Sequence, residues 1–304
     1  MSTLTRRGFL ASVGAAAACA WPSAAGTAHA RAAADLTFGY SVITWNGKDL
    51  QAIEDIAAAG YKGVQLRSPI VGQYADRTSE LRDIIARHKL TMVALSSGSV
   101  SIDPAIERDE IEKHTRHGKF VKDVGGLYLQ LTDALPKRAL TPADYKRLGT
   151  LMTEIGKRTA DFGIPVGYHN HMNAIGERPH EVRAVMDAAD PKFVKLELDT
   201  AHYQMGGGDP VRAVKDYADR LLFLHIKDLE TPVPGATGDL SRSYRFVELG
   251  RGKVDLKGVF AALAAISFRG WAIVELDRVP DDARTPKESA MISRRYLEGL
   301  GFKI

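Results

Sequence analysis

From residue 35 onward the chain alternates between two hydrophobic rhythms. Short β-branched or apolar runs begin near Leu36, Gly63, Thr91, Leu127, Ile164, Val194, Leu221 and Trp271, and each is followed by a stretch with helical spacing. The helical stretches fall near residues 49–59, 78–88, 106–124, 143–162, 179–189, 210–220, 256–266 and 287–300. "TPAD" before Tyr145 and "GDP" before Val211 are helix-start signals, while Gly60, Gly125, Gly163 and Gly301 mark helix ends. Strands that alternate with helices imply a parallel sheet, and eight such units imply an α/β protein folded as one (β/α)8 TIM barrel. The competing fold, a doubly wound open sheet, usually carries a Gly-rich phosphate turn after its first strand, and "SVITWNG" is not one. The longest irregular stretch, 229–253, lies on the catalytic rim of such a barrel and reads as a lid or a plain surface insertion.

Alternation within the later strands selects candidate site residues. In a barrel strand one parity packs on helices and the other points into the barrel. In "IPVGYHNH", Ile164, Val166 and Tyr168 take the helix side, which turns Gly167, His169 and His171 inward. The same test turns Glu197 and Asp199 inward on the sixth strand, Phe223, His225 and Lys227 on the seventh, and Ile273, Glu275 and Asp277 on the eighth. His169, Asp199, His225 and Glu275 thus face inward from four adjacent strands, near the ends where barrel active sites form. Such dense inward charge is costly unless paired or bound to a metal. Mixed imidazole and carboxylate donors suit one divalent Mn²⁺, Zn²⁺, Co²⁺ or Fe²⁺ better than Ca²⁺. In "LELDTAH", Asp199 ends the strand and His202 rises from the rim, so the two need not share a strand face.

Charge and the N-terminus narrow the function classes. The formal charge is +4, but residues 31–304 carry 39 basic against 37 acidic side chains, a balance of +2 that gives no electrostatic case for nucleic acid. Residues 1–30 contain Arg6-Arg7, a short Ala-rich apolar run and Ala28-His29-Ala30, a small-x-small cleavage pattern. This segment resembles the twin-arginine signals that send folded proteins to the bacterial periplasm. It predicts a removable signal over 1–30, a barrel over 31–304, periplasmic localisation and no stable membrane insertion after cleavage. Cys19, the only cysteine, falls in that segment, so the remainder has no disulfide or thiolate chemistry.

"GYHNHM", "LELDTAH", "GGGDPVRAVKDYADRLLFLHIKD", "ELGRGKVDLKGVF" and "GWAIVELD" resemble the xylose isomerase-like barrel superfamily, particularly its sugar isomerase/epimerase and inosose dehydratase branches. The likeness is strongest in the second half of the chain. It implies a metal held by Glu, Asp, His and a second Glu, the last three carried over as Asp199, His225 and Glu275, with His202 on the substrate side. The first ligand departs from that pattern: His169 stands where a glutamate is usual, and Glu177 in the following loop is the alternative. The resemblance implies a carbohydrate substrate, and barrels of this kind often form homo-oligomers.

A Lewis-acidic ion on two vicinal oxygens favours loss of the proton beside a carbonyl. His171, His202 and Lys227 are the candidate acids and bases, with Lys227 alternatively pairing with Glu197 or Asp199. Gln65 and Arg67 are candidate substrate contacts, and Trp45 either stacks on a sugar face or caps the core. The leading expectation is an isomerase or epimerase of an unphosphorylated sugar. The alternative is a lyase or dehydratase on a keto-sugar, cyclitol or 3-keto-glycoside. An apurinic endonuclease fits the charge poorly, and a non-catalytic sugar-binding protein would need no metal.

Overall fold

Alternating apolar runs become strands whose order around the barrel decides which side chains can meet. The computed structural model describes residues 35–304 apart from Asp239 and Ser241; the signal expected over 1–30 lies outside the described residues. Seven strands come first: β1 (Asp35–Ser41), β2 (Gly63–Arg67), β3 (Thr91–Val100), β4 (Tyr128–Asp133), β5 (Val166–His169), β6 (Val194–Asp199) and β7 (Leu221–Ile226). A two-stranded antiparallel hairpin, β8 (Asp228–Glu230) and β9 (Arg245–Val247), precedes the last strand, β10 (Arg269–Val274). The barrel closes in the order β1-β10-β7-β6-β5-β4-β3-β2. Every pairing in it is parallel.

The helices α1 (Asp49–Ala58), α2 (Pro69–Tyr74), α3 (Thr78–Arg87), α4 (Glu107–Val124), α5 (Pro142–Ala160) and α6 (Pro179–Ala188) precede β6. They are followed by α7 (Thr200–Met205), α8 (Pro210–Asp216), α9 (Leu256–Ala265) and α10 (Pro286–Gly299). Two predicted starts have the expected chemistry. Thr141 N–H donates to Asp144 Oδ2 at 2.7 Å to cap α5, and Asp209 Oδ1 accepts from Val211 N–H at 2.8 Å to cap α8. Helix α4 ends at Gly125, whose φ of 87° is the left-handed conformation that glycine adopts without a Cβ penalty.

Three local features differ from the sequence expectation. Helices α2 and α7 are single short turns with too few residues to show a period. Strand β5 stops at His169, so His171 lies in the loop beyond it rather than on the strand. Glu275 lies just past β10, although its N–H still donates to Ile226 O at 3.2 Å. Inside the barrel, Val93, Phe223 and Ile273 form an apolar floor. Gly167 leaves room for it, since a Cβ there would sit 3.2 Å from Phe223 Cε1.

Segment 229–253 is anchored at both ends. Asp228 Oδ2 accepts from Gly250 N–H at 3.0 Å and Gly252 N–H at 2.9 Å, while its Oδ1 accepts from Val254 N–H at 3.1 Å. These bonds hold the hairpin beside the rim, where Phe246 lies 4.0 Å from Lys227 Nζ.

Candidate metal centre and active site

The four residues singled out by parity converge. Each of His169, Asp199, His225 and Glu275 presents a donor atom within 4.8 Å of the other three, and all four are buried. The register explains the convergence. His169 pairs with Glu197, two residues before Asp199; Asp199 pairs with His225, and His225 with Ile273, two residues before Glu275, so each ligand lies on or next to its neighbour's strand end.

His225 is the central ligand candidate. Its Nδ1 lies 3.4 Å from Glu275 Oε1 and 3.6 Å from Asp199 Oδ2, while its Nε2–H is aligned on Gln65 Oε1 at 2.7 Å. Gln65 in turn donates to Gln130 Oε1 at 3.0 Å. Gln65 therefore supports a ligand from behind, which corrects the expectation that it contacts substrate. Glu197 Oε1 lies 2.7 Å from the same Nε2 and 3.7 Å from His169 Nδ1.

The site is electrostatically polarised. Burial opposes charge on His225, but Glu197 and Glu275 outweigh it and hold its pKa well above the usual imidazole value. Burial, reinforced by His225, pushes His169 well below that value. Burial raises Glu197 to about 7, against the pull of His225. For Glu275 burial is outweighed by His225 and Lys227, and its carboxyl is held well below the ordinary range.

Lys227 is fully buried and pairs with Glu275 Oε1 at 3.1 Å and Asp277 Oδ1 at 2.5 Å. Burial opposes its charge, yet these acids and Asp199 raise its pKa. Its partners are thus Glu275 and Asp277, not the Glu197 or Asp199 pairing considered from sequence. Lys227 Nζ also donates to His202 Nε2 at 3.2 Å. His202, kept neutral by burial and the neighbouring ammonium, stacks on His171 with ring centroids 3.8 Å apart.

His171 Nδ1–H donates to Met172 O at 2.6 Å, which leaves the Nε2 lone pair free. Its ring lines a cavity of about 460 Å³ with Arg67, Asp133, His169, Glu275 and Asp277. Among these, Asp133 and Asp277 were not assigned from sequence. Asp277 had the right parity, but nothing in the pattern revealed its lysine partner. Asp133 accepts from Tyr168 Oη at 2.8 Å and from Ile175 N–H, contacts that depend on the fold.

Two alternatives left open by the sequence are narrowed. Glu177 is held by Arg242 at 2.7 Å and by Asn173 N–H at 2.8 Å, and it is outside the four-donor cluster. Trp45 is buried and donates to Asp55 Oδ2 at 2.9 Å, so it caps the core and offers no face to the cavity.

The donor set fits a divalent transition ion. Asp199 Oδ2 and His225 Nδ1 are buried without hydrogen-bond partners, and two imidazoles with two carboxylates form a typical donor mixture. Among the described residues no helix is long and apolar enough to cross a membrane.

Comparison with known proteins agrees with this geometry. The chain is 24% identical over 293 residues to an inosose dehydratase of Bacillus cereus, covering 86% of this chain and 96% of that one. The crystal structure of the IOLI protein with a zinc atom superposes with a TM-score of 0.72 at 18% identity, covering 87% of this chain and 98% of that one. An L-ribulose 3-epimerase structure shares the fold with a TM-score of 0.70 at 17% identity, over 88% and 94% of the two chains. The family model described as xylose isomerase-like TIM barrel matches residues 53–298, and the chain belongs to that family.

Proposed function

We propose that this protein is a divalent-metal-dependent enzyme that removes the proton beside the carbonyl of an unphosphorylated keto-sugar or cyclitol and then eliminates a β-substituent. The observation that carries this reading is a four-donor cluster, two members of which, His169 and Glu275, line the same cavity as His171, an imidazole whose Nδ1 hydrogen bond leaves Nε2 free. His169, Asp199, His225 and Glu275 would hold the ion. When bound, it would draw electron density from the substrate oxygens and acidify the adjacent C–H.

His171 Nε2 takes that proton as general base, because Nδ1–H is committed to Met172 O. The protonated ring then returns it to the departing hydroxyl, so that one C–H and one C–O bond break, a C=C bond forms and water leaves. Lys227 is held as an ammonium by Glu275 and Asp277, which suits it to orienting His202 rather than to accepting a proton. Arg67 is the only Lys or Arg lining the cavity among the described residues, and it shares that lining with Asp133, Glu275 and Asp277. That balance disfavours a phosphorylated substrate.

The same half-reaction completed by returning the proton to a neighbouring carbon gives isomerisation or epimerisation, the first expectation from sequence. The dehydratase relative, which matches across nearly its whole length, supports elimination. The zinc in the IOLI structure supports zinc as the first ion to try. We also propose that residues 1–30 direct export to the periplasm; replacing Arg6-Arg7 by Lys-Lys should then retain the protein inside the cell.

Mass spectrometry of the products from a panel of inososes and unphosphorylated keto-sugars tests the reaction. Loss of one water, dependent on added metal, is the expected result. An isobaric product would replace elimination by isomerisation, and absence of turnover across the panel with each of the four metals would overturn the enzyme reading.

A further inference from the structure

Glu197 is a buried carboxylate that the reaction above does not use. It has no exposure to solvent, and neither oxygen has an aligned hydrogen-bond donor. An acid so placed is costly unless something nearby needs its charge. Its neighbours are two of the four ligand candidates: His225 Nε2 at 2.7 Å and His169 Nδ1 at 3.7 Å, both from Oε1. On His225 the opposite nitrogen, Nδ1, faces Asp199 and Glu275. On His169, with Nδ1 turned to Glu197, Nε2 is the nitrogen left for an ion.

We infer that Glu197 is a positioning residue for the metal centre, one carboxylate serving two imidazole ligands from behind. Together with Gln65, which takes the His225 Nε2–H, its charge favours the ring orientations that turn His225 Nδ1 and His169 Nε2 to the ion, and it places a third negative charge behind the two carboxylates at the front. Gln65 completes the support for His225 through its own 2.7 Å contact. Partners of this kind orient a ligand and raise its basicity, and their removal typically weakens metal binding by about 10–100-fold. The inference deepens the proposed function and rests on its metal centre.

The test measures zinc affinity of the purified full chain by competition with a chromophoric chelator, for wild type, Glu197→Gln and Glu197→Asp. The visible spectrum with cobalt and the melting temperature of each metal-free protein are recorded alongside. Glu197→Gln should bind zinc about 10–100-fold more weakly, with a shifted cobalt spectrum. Its metal-free form should lose some stability at neutral pH, because Glu197 also offsets the charge on buried His225, so the cobalt spectrum is the readout that separates positioning from packing. Glu197→Asp should fall between the two in affinity, and it serves the same comparison if the glutamine variant does not fold.

Zinc affinity within about threefold of wild type in the glutamine variant would overturn the inference. So would an affinity loss with the cobalt spectrum of the bound ion unchanged, the mark of a packing role. Either result leaves the proposed function standing provided wild type binds zinc; a wild type that binds none overturns both.

Discussion

Asp199 divides its two carboxylate oxygens between two tasks, and His202 receives one of them. Oδ1 accepts the His202 backbone N–H at 2.7 Å and so caps helix α7, while Oδ2 turns into the donor cluster. The three-residue spacing of "DTAH" is therefore the spacing of a helix cap, which sets His202 beside the cavity while Asp199 faces the ion's seat. Asn in place of Asp199 retains a capping oxygen but removes the charge. We expect Asp199→Asn to lose its metal and melt close to metal-free wild type, and Asp199→Ala to lose a further 1 kcal/mol or about that. Metal analysis and denaturant unfolding check the pair.

Replacing the first ligand separates the two candidates for that role. Purified wild type should carry about one divalent ion per chain when reconstituted. His169→Ala and Glu275→Ala should lose it. Glu177→Ala should keep it, because Glu177 is committed to Arg242 on the rim. Elemental analysis of the four proteins decides; metal lost with Glu177 and kept without His169 would reverse the assignment.

His171→Asn should reduce kcat by roughly 10²–10⁴-fold, the range ordinarily supplied by a general base, while metal content stays at the wild-type level. Equal turnover in the variant would remove His171 from the mechanism.

Lys227 lies between Glu275 and Asp277 with no access to water. Removing one member of a buried ion pair leaves the other uncompensated and typically costs about 3–5 kcal/mol. Lys227→Met should therefore unfold at clearly lower urea concentration than wild type when both are metal-free.

One source of acid sensitivity lies behind β3, separate from the buried His169 and His202 of the site. Ser97 Oγ lies 2.5 Å from His114 Nδ1 and 2.8 Å from His117 Nδ1. Burial, reinforced by His114, Lys113 and Arg116, lowers His117 to about 4, and burial also lowers His114. An unfolded histidine titrates near 6.5, so between these values the unfolded chain binds protons that the folded one refuses. The contribution to stability is full above about pH 6.5 and is lost as pH falls towards 4. Urea midpoints should drop between pH 7 and pH 5, and His117→Asn should flatten the slope.

The barrel was legible in the sequence because its strands are short, apolar on one face and regularly interrupted by helical spacing. The observed starts of β2, β3, β6 and β7 coincide with the residues at which those runs begin. The four-donor cluster was legible for a related reason: side chains alternate strictly along a strand, so parity assigns inward residues without any coordinates. Parity says nothing about partners around the barrel. Glu197 was recognisable as inward, but its contact with His225 depends on the β6–β7 register, which shifts beside Leu196 and Glu197. Beyond the strand ends no period operates, and the placements of His171, Glu177 and Asp277 follow from loop hydrogen bonds and ion pairs instead.

The ligand-bearing strands β5, β6, β7 and β10 are consecutive around the barrel, so the ion's seat is against one wall. The facing arc sends Arg67, Ser96 and Asp133 from β2, β3 and β4 into the same cavity without contributing to that seat. Apart from Gln65, which reaches from β2 to His225, catalyst and selector are thereby carried on separate halves of one closed sheet. A descendant of this chain can take up a new sugar by exchanging residues on one arc alone, inheriting the reaction unchanged from the other.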